Sequence, residues 1–319
     1  MKKQLFWILW LLLPSAALAQ HRALYSQYMF NRVALNPGAA GVDNGVNIHL
    51  SLRQQWVGIE EAPVTQLLAA DSYVGLNTSL GGYLFNEVTG PTRRTGVAFG
   101  GAYQLYFRGP SWRRTDRRTY PSRPENERIL SFGLFGMIYQ QSLAYDQLTT
   151  EIPGDVALQP GAFNQILPDI NFGIYYRDRD RWYAGFSVLH LVQARPYAGQ
   201  SGPVRTYYLN GGVRFGDRDR MVIEPSFLLQ SIEAFWTLRQ VHPTRVLPFQ
   251  VDLNLRAIWQ EVFWAGVSYR HRDALVGMIG ITQPTFRLGY SYDYTLSDIR
   301  GFSQGSHELA VTLILTEEL

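Results

Sequence analysis

The sequence predicts an all-β protein: a transmembrane antiparallel β-barrel of fourteen strands with a short N-terminal periplasmic segment. Three observations predict it. Apolar and polar residues alternate over long runs. An export leader precedes a chain that has no cysteine. The connections between the alternating runs sort by parity into short and long.

The leader comes first. Lys2 and Lys3 form a positive start, Leu5 to Leu13 an apolar run, and Ala17-Leu18-Ala19 a small-residue cleavage site before Gln20. This predicts a signal peptide over 1–19, too short for a spanning anchor, and a mature protein of the cell outer membrane. An exported chain with no cysteine has no disulfides to hold it together. A closed hydrogen-bonded sheet in lipid is another route to stability. After the leader, no apolar run approaches the ~20 residues of a membrane-crossing helix. Lys and Arg number 29 against 26 Asp and Glu, a net charge of +3. The basic residues lie in loops and among acidic neighbours, so no nucleic-acid partner is expected.

Residues 20–45 form the N-terminal segment. Tyr25, Ser26, Gln27, Tyr28 and Asn31 are followed by Asn36-Pro37-Gly38. The stretch is neither a good helix nor an alternating strand, and Asn-Pro with glycine marks a turn. Amide and aromatic groups need partners when buried. The segment is therefore expected to pack in or under the barrel mouth, before a barrel over 46–319.

Strands are expected near 46–54, 64–73, 78–87, 95–107, 128–141, 168–178, 181–190, 205–216, 220–232, 248–258, 262–271, 274–282, 285–294 and 306–316. The run from Phe249 sets Phe249, Val251, Leu253 and Leu255 against Gln250, Asp252, Asn254 and Arg256. The run from Phe286 sets Phe286, Leu288, Tyr290, Tyr292 and Tyr294 against Arg287, Gly289, Ser291 and Asp293. Soluble sandwiches also alternate, but these runs are ~9–12 residues long, beyond the usual ~5–6 of a soluble strand. Gln250, Asp252, Asn254, Arg256, Arg270 and Arg287 are read as lumen-lining. Tyr207, Tyr208, Tyr269, Tyr292 and Tyr294 suit an interfacial girdle.

Most even-numbered connections are tight and several odd-numbered ones are long. Bacterial barrels keep short turns in the periplasm and long loops outside, which assigns an orientation. The basic stretch 108–127, with Arg113, Arg114, Arg117 and Arg118, breaks the pattern as a long even-numbered loop.

No catalytic constellation stands out. Gly301-Phe302-Ser303-Gln304-Gly305, with His307 nearby, matches G-x-S-x-G in form. A nucleophile elbow requires a strand before it and a helix after it, and here a loop precedes and a strand follows. His190, His242 and His271 lack metal-ligand spacing. Asp146, Glu151, Asp155 and Asp169 lack the spacing of a calcium loop. No metal, cofactor or enzymatic activity is expected.

Several blocks, in order along the mature chain, resemble the PorP/SprF family of Bacteroidetes outer-membrane proteins. They are Tyr25-Ser26-Gln27-Tyr28-Met29-Phe30-Asn31 with Asn36-Pro37; Arg53-Gln54-Gln55-Trp56 with Ala62-Pro63-Val64-Thr65; Asn86 with Gly90-Pro91; and Ser291-Tyr292-Asp293-Tyr294 with Gly305-Ser306-His307-Glu308. The chain departs from the family pattern at Ala40, Glu60-Glu61, Glu87 and the Glu317-Glu318-Leu319 end. The resemblance implies a role in type IX secretion and gliding. It also implies a non-enzymatic anchor that contacts outer-membrane lipid and holds a secreted cargo or adhesin, or peptidoglycan-associated periplasmic machinery. A small-solute channel is the alternative. The last strand must neighbour the first when the barrel closes, so the Arg53–Trp56 and His307–Glu308 blocks are expected to meet.

Overall fold

The computed structural model describes residues 25–43, 45–107, 128–144, 164–179, 181–194, 203–232 and 249–315. The expected leader, the basic 108–127 connection, His242, Asp146, Glu151 and Asp155 lie outside them.

Fourteen strands form one closed antiparallel ring. They are β1 (Val46–Gln54), β2 (Val64–Gly75), β3 (Thr78–Thr89), β4 (Thr92–Phe107), β5 (Arg128–Leu143), β6 (Asn164–Asp178) and β7 (Trp182–Leu189), followed by β8 (Thr206–Val213), β9 (Met221–Ile232), β10 (Phe249–Trp259), β11 (Phe263–Arg270), β12 (Ala274–Thr282), β13 (Phe286–Thr295) and β14 (Ser306–Leu315). Each strand pairs with its sequence neighbours, and β1 pairs with β14 to close the ring.

β8 is interrupted at Arg214 and resumes as Phe215–Asp217. Both pieces keep a single register on β9, with Gly212 opposite Ser226 and Phe215 opposite Ile223. That register sets Arg214 opposite Glu224, and the two side chains form an ion pair of 2.6 Å. The break is therefore local and does not shift the pairing.

Burial is inverted relative to a soluble protein. On β14, Ser306, Glu308, Ala310, Thr312 and Ile314 are buried, while Leu309, Leu313 and Leu315 are exposed. Arg53, Asp71, Glu224, Asp252, Arg256, Arg270 and Asp293 are likewise buried on their strands. An apolar outside and a polar inside are what a barrel in lipid requires. Exposed Trp182, Phe215, Trp259 and Phe263 gather at one end of the wall, and Tyr269, Tyr292 and Tyr294 at the other. Tyr208 corrects the girdle expectation. It is buried inside while Tyr207 beside it is only half-buried, because alternation sends consecutive residues to opposite faces.

Most of the tight turns lie at one end, those between β3 and β4 and between β11 and β12 lying at the other. Leu76-Asn77 and Gln260-Glu261 both have positive φ at their two central positions, the geometry whose twist matches a hairpin. The short-turn rule assigns this end to the periplasm. The starts of β1 and β13 and the ends of β6 and β14 then lie at the inner end. The ends of β1, β11 and β13 and the starts of β10 and β14 lie at the outer end.

Candidate functional site

The site is the barrel interior and the N-terminal segment that fills it. Tyr28, Met29, Val33, Leu35, Ala39, Ala40 and Val42 of this segment are all buried. One helical turn, α1 (Arg32–Leu35), is followed by a 3-10 turn at Pro37–Ala39. Asn36 caps that turn by accepting from the Gly38 amide at 2.8 Å, and proline suits its first position. Asn36 Nδ2 also donates to the Ile174 carbonyl at 2.9 Å, tying the turn to β6. Gly133 and Gly173 make room for it. A Cβ at Gly133 would overlap the Pro37 backbone, and one at Gly173 would overlap the Asn36 amide. Gln104 Nε2 donates to the carbonyls of Ala40 and Gly41 and to Ser79 Oγ. Asp71 accepts from the Gly41 amide at 2.7 Å and lies 3.4 Å from His49.

The segment's first residues reach the outer half of the lumen. There Ser26 Oγ donates to the Asp293 carboxylate at 2.8 Å and accepts from Arg53 at 2.9 Å and Arg270 at 3.1 Å. The backbone amides of Ser26 and Gln27 donate to Glu308 at 2.7 and 3.1 Å. Arg53 pairs with Asp293 at 2.7 Å and with Glu308 at 3.2 Å. Arg270 pairs with Asp252 and Asp293, each at 3.0 Å. These ionic side chains are at most 5% exposed. Every charge has an opposite charge and a hydrogen bond, which buried ions require. Strands β1, β11, β13 and β14 are thus tied together through one serine hydroxyl and two backbone amides, and Arg270 extends the link to Asp252 on β10.

At the inner end, Asp43 meets Arg32, Arg177 and Arg287 at 3.3–3.4 Å. Burial alone would push the Asp43 carboxyl up. The guanidiniums of Arg32, Arg287 and Arg177 outweigh it and hold that carboxyl well below the usual carboxylate range. Nearby, Glu224 accepts from Arg214 and Arg256 at 2.6 and 2.9 Å. Arg256 also lies over the Phe30 and Trp264 rings.

The outer half holds a small cavity of about 40 Å3. Tyr25 and Leu35 of the segment line it, with Tyr83, Tyr139, Tyr208 and His190 from the barrel. His190 is fixed by a 2.7 Å contact with Asp169.

The structure brings the two terminal blocks together. Gln54 lies opposite His307, and the Trp56 amide donates to Ser306 Oγ at 3.0 Å. Val57 and Gly305 share a backbone hydrogen bond, so the pairing runs past the end of β1. Gln55 is buried, its amide on the Pro63 carbonyl, and Thr65 lies opposite Arg53 on β2. Gly90 and Pro91 form the tight outer turn between β3 and β4. His307 faces outward onto Tyr290 at 2.6 Å, and Ser303 Oγ accepts from the Gly305 amide, so the G-x-S-x-G stretch forms no Ser–His pair. Asn31 is buried beside Tyr28 and Arg32. On β10, Asn254 and Arg256 are buried, and Gln250 is half-buried beside Asp252 at 3.3 Å.

Asp43, Arg32, Arg177, Glu224 and Arg214 were not singled out by sequence reasoning. The signal for Arg177 and Glu224 is a charge on the polar phase of a strand.

A closed ring with an apolar exterior, a charged interior and a segment threaded through it defines an outer-membrane β-barrel. The chain belongs to the PorP/SprF family of type IX secretion system membrane proteins, whose family model matches residues 17–313. No curated protein matches the chain. Among solved structures it is similar to the Ralstonia pickettii toluene transporter TbuX, with a TM-score of 0.50 and 10% identity over 89% of this chain and 93% of that one. It is also similar to the CymD monoaromatic hydrocarbon channel, with a TM-score of 0.46 and 11% identity over 95% and 96% of the two chains. A Pseudomonas aeruginosa FadL homologue gives 0.47 and 10% over 88% and 93%. At such identities the likeness is one of fold alone.

Proposed function

We propose that this protein is a non-enzymatic anchor and assembly component of the type IX secretion and gliding machinery. It holds a secreted surface protein or a periplasmic machinery component at the outer membrane. The observation that carries this reading is the filled lumen. The N-terminal segment is pinned at its outer end by Arg53, Asp293 and Glu308 and at its inner end by Asp43. A conduit for solutes needs an open path, whereas a rigid plugged barrel is suited to presenting its loops and mouths to partners. Tyr25–Asn31, Asn36-Pro37, Arg53–Trp56 and Gly305–Glu308 serve in this reading as the framework that sets the shape of the outer mouth.

The test joins two measurements. A tagged protein, solubilised from outer membranes in mild detergent, should co-purify with a large secreted protein or a periplasmic machinery protein identified by mass spectrometry. The same preparation in planar bilayers should be nearly silent. A large stable conductance without a co-purifying protein would instead favour the small-solute channel.

A further inference from the structure

We infer that the inner mouth of the barrel docks an acidic peptide segment of a periplasmic protein. This rests on the anchor reading above for the partner's place in the cell and on the charges at that mouth for its chemistry.

The two ends of the plug differ in kind. At the outer end Arg53 and Arg270 face Asp252, Asp293 and Glu308, with contacts of 2.7–3.2 Å between side chains at most 5% exposed. That cluster is sealed. At the inner end three guanidiniums, from Arg32, Arg177 and Arg287, converge on the single carboxylate of Asp43. Those contacts are 3.3–3.4 Å, and all four side chains are 19–24% exposed. In charge the hub stands three to one, and Arg32 also donates to the Met29 carbonyl and the Tyr175 hydroxyl. Beside them Arg214 and Arg256 share Glu224, and the Arg214 side chain is 32% exposed. Asp71 is the other lumen-facing carboxylate of this half among the described residues, and the Gly41 amide and His49 occupy it. Asp178, Asp217, Asp219 and Glu261 lie at the same end on the rim and its turns, where Asp178 pairs with Arg128 and Glu261 with Arg218. Facing the lumen, five guanidiniums therefore stand against three carboxylates.

Arg177 is on β6 and Arg287 on β13, seven places apart in a ring of fourteen. They reach Asp43 from opposite walls. The excess positive charge is thus centred in the mouth, facing inward from the wall, where the headgroup of a leaflet lipid outside the barrel has no access. Guanidinium forks match carboxylates in pairs. An extended peptide bearing successive Glu or Asp side chains can offer one carboxylate to each arginine, which one small anion cannot.

The experiment uses full-length protein in detergent and a fluorescein-labelled hexaglutamate peptide, followed by anisotropy. Binding is expected, and it should weaken as salt is raised. Arg177→Gln with Arg287→Gln should weaken it about tenfold. Asp43→Asn keeps the side chain's shape, removes the negative charge at the hub, and should tighten binding. Heat-modifiable gel mobility reports whether each variant keeps the barrel. Equal affinity in the folded double-arginine variant overturns the inference. So does a weaker Asp43→Asn variant, or displacement of the peptide by inorganic phosphate at equal concentration of charge, which would mark a small-anion site. A partner that co-purifies while hexaglutamate fails to bind sinks this inference and leaves the anchor reading standing.

Discussion

Arg53 and Glu308 stand directly opposite each other on the two strands that close the barrel, β1 and β14, and their side chains pair at 3.2 Å. The same Glu308 oxygen accepts from the Ser26 amide. One buried carboxylate thus joins the first strand, the last strand and the plug. Glu308→Ala leaves a buried guanidinium short of a counter-ion and two backbone amides without an acceptor. It should cost about 3–5 kcal/mol in urea unfolding of the reconstituted barrel, the range for breaking a buried pair. Asp178→Ala, at the pair with half-exposed Arg128, should cost about 0–1 kcal/mol. Equal losses in the two variants would contradict the buried character of the seam.

Ser26 has a small side chain with a large share of the outer cluster. Its hydroxyl touches Asp293, Arg53 and Arg270. Ser26→Ala removes the donor to Asp293 and the acceptor for both arginines while leaving the barrel wall intact. The expected cost is about 1–3 kcal/mol, confined to the plug. Trypsin should then cut after Arg32 in the variant at a concentration that leaves wild type whole, with heat-modifiable mobility unchanged. Protection equal to wild type would show that the backbone contacts to Glu308 hold the segment alone.

Gly133 tests how the plug is seated. Its Cα lies against the backbone of Pro37, where neither partner can swing aside as a flexible side chain would. Gly133→Ala should displace the 3-10 turn and expose Arg32 to trypsin. Gly136→Ala, on the same strand where an added Cβ would meet only the Phe99 carbonyl at an ordinary 3.9 Å, should not. If the two variants digest alike, the segment is not seated against β5 at that point.

The strands were legible because a wall with lipid on one side and charge on the other imposes period two on every residue it contains. β1 from Val46 to Gln54 and β12 from Ala274 to Thr282 start and stop where alternation does. Alternation also explains two things it did not disclose. It carries no mark for the break at Arg214, since the register resumes unchanged on β9. Grouping Tyr207 and Tyr208 as girdle residues by type alone overrode the period that separates them. The plug was legible only as a need. Amides and aromatics that must be buried require partners, but the partners of Ser26 lie 27 to 282 residues away. Asp43 has no local pattern at all. Its arginines sit on opposite walls and meet only when the ring has closed.

The Asp43 hub makes a prediction about acid. Its carboxyl is held well below the usual range in the folded protein by Arg32, Arg287 and Arg177, against burial, which works the other way. A depressed folded value means that the unfolded chain takes up a proton first as pH falls. The hub's contribution is therefore complete above the unfolded value of about 3.9 and is lost as pH falls from there towards the depressed folded value. Comparison of wild type with Asp43→Asn by urea unfolding should give a stability difference that is flat from about pH 8 to about pH 5 and shrinks only below about pH 4. A difference that already shrinks between about pH 7 and pH 5 would mean that a group other than Asp43 governs the inner end. The arginines would then not be what keeps Asp43 ionised.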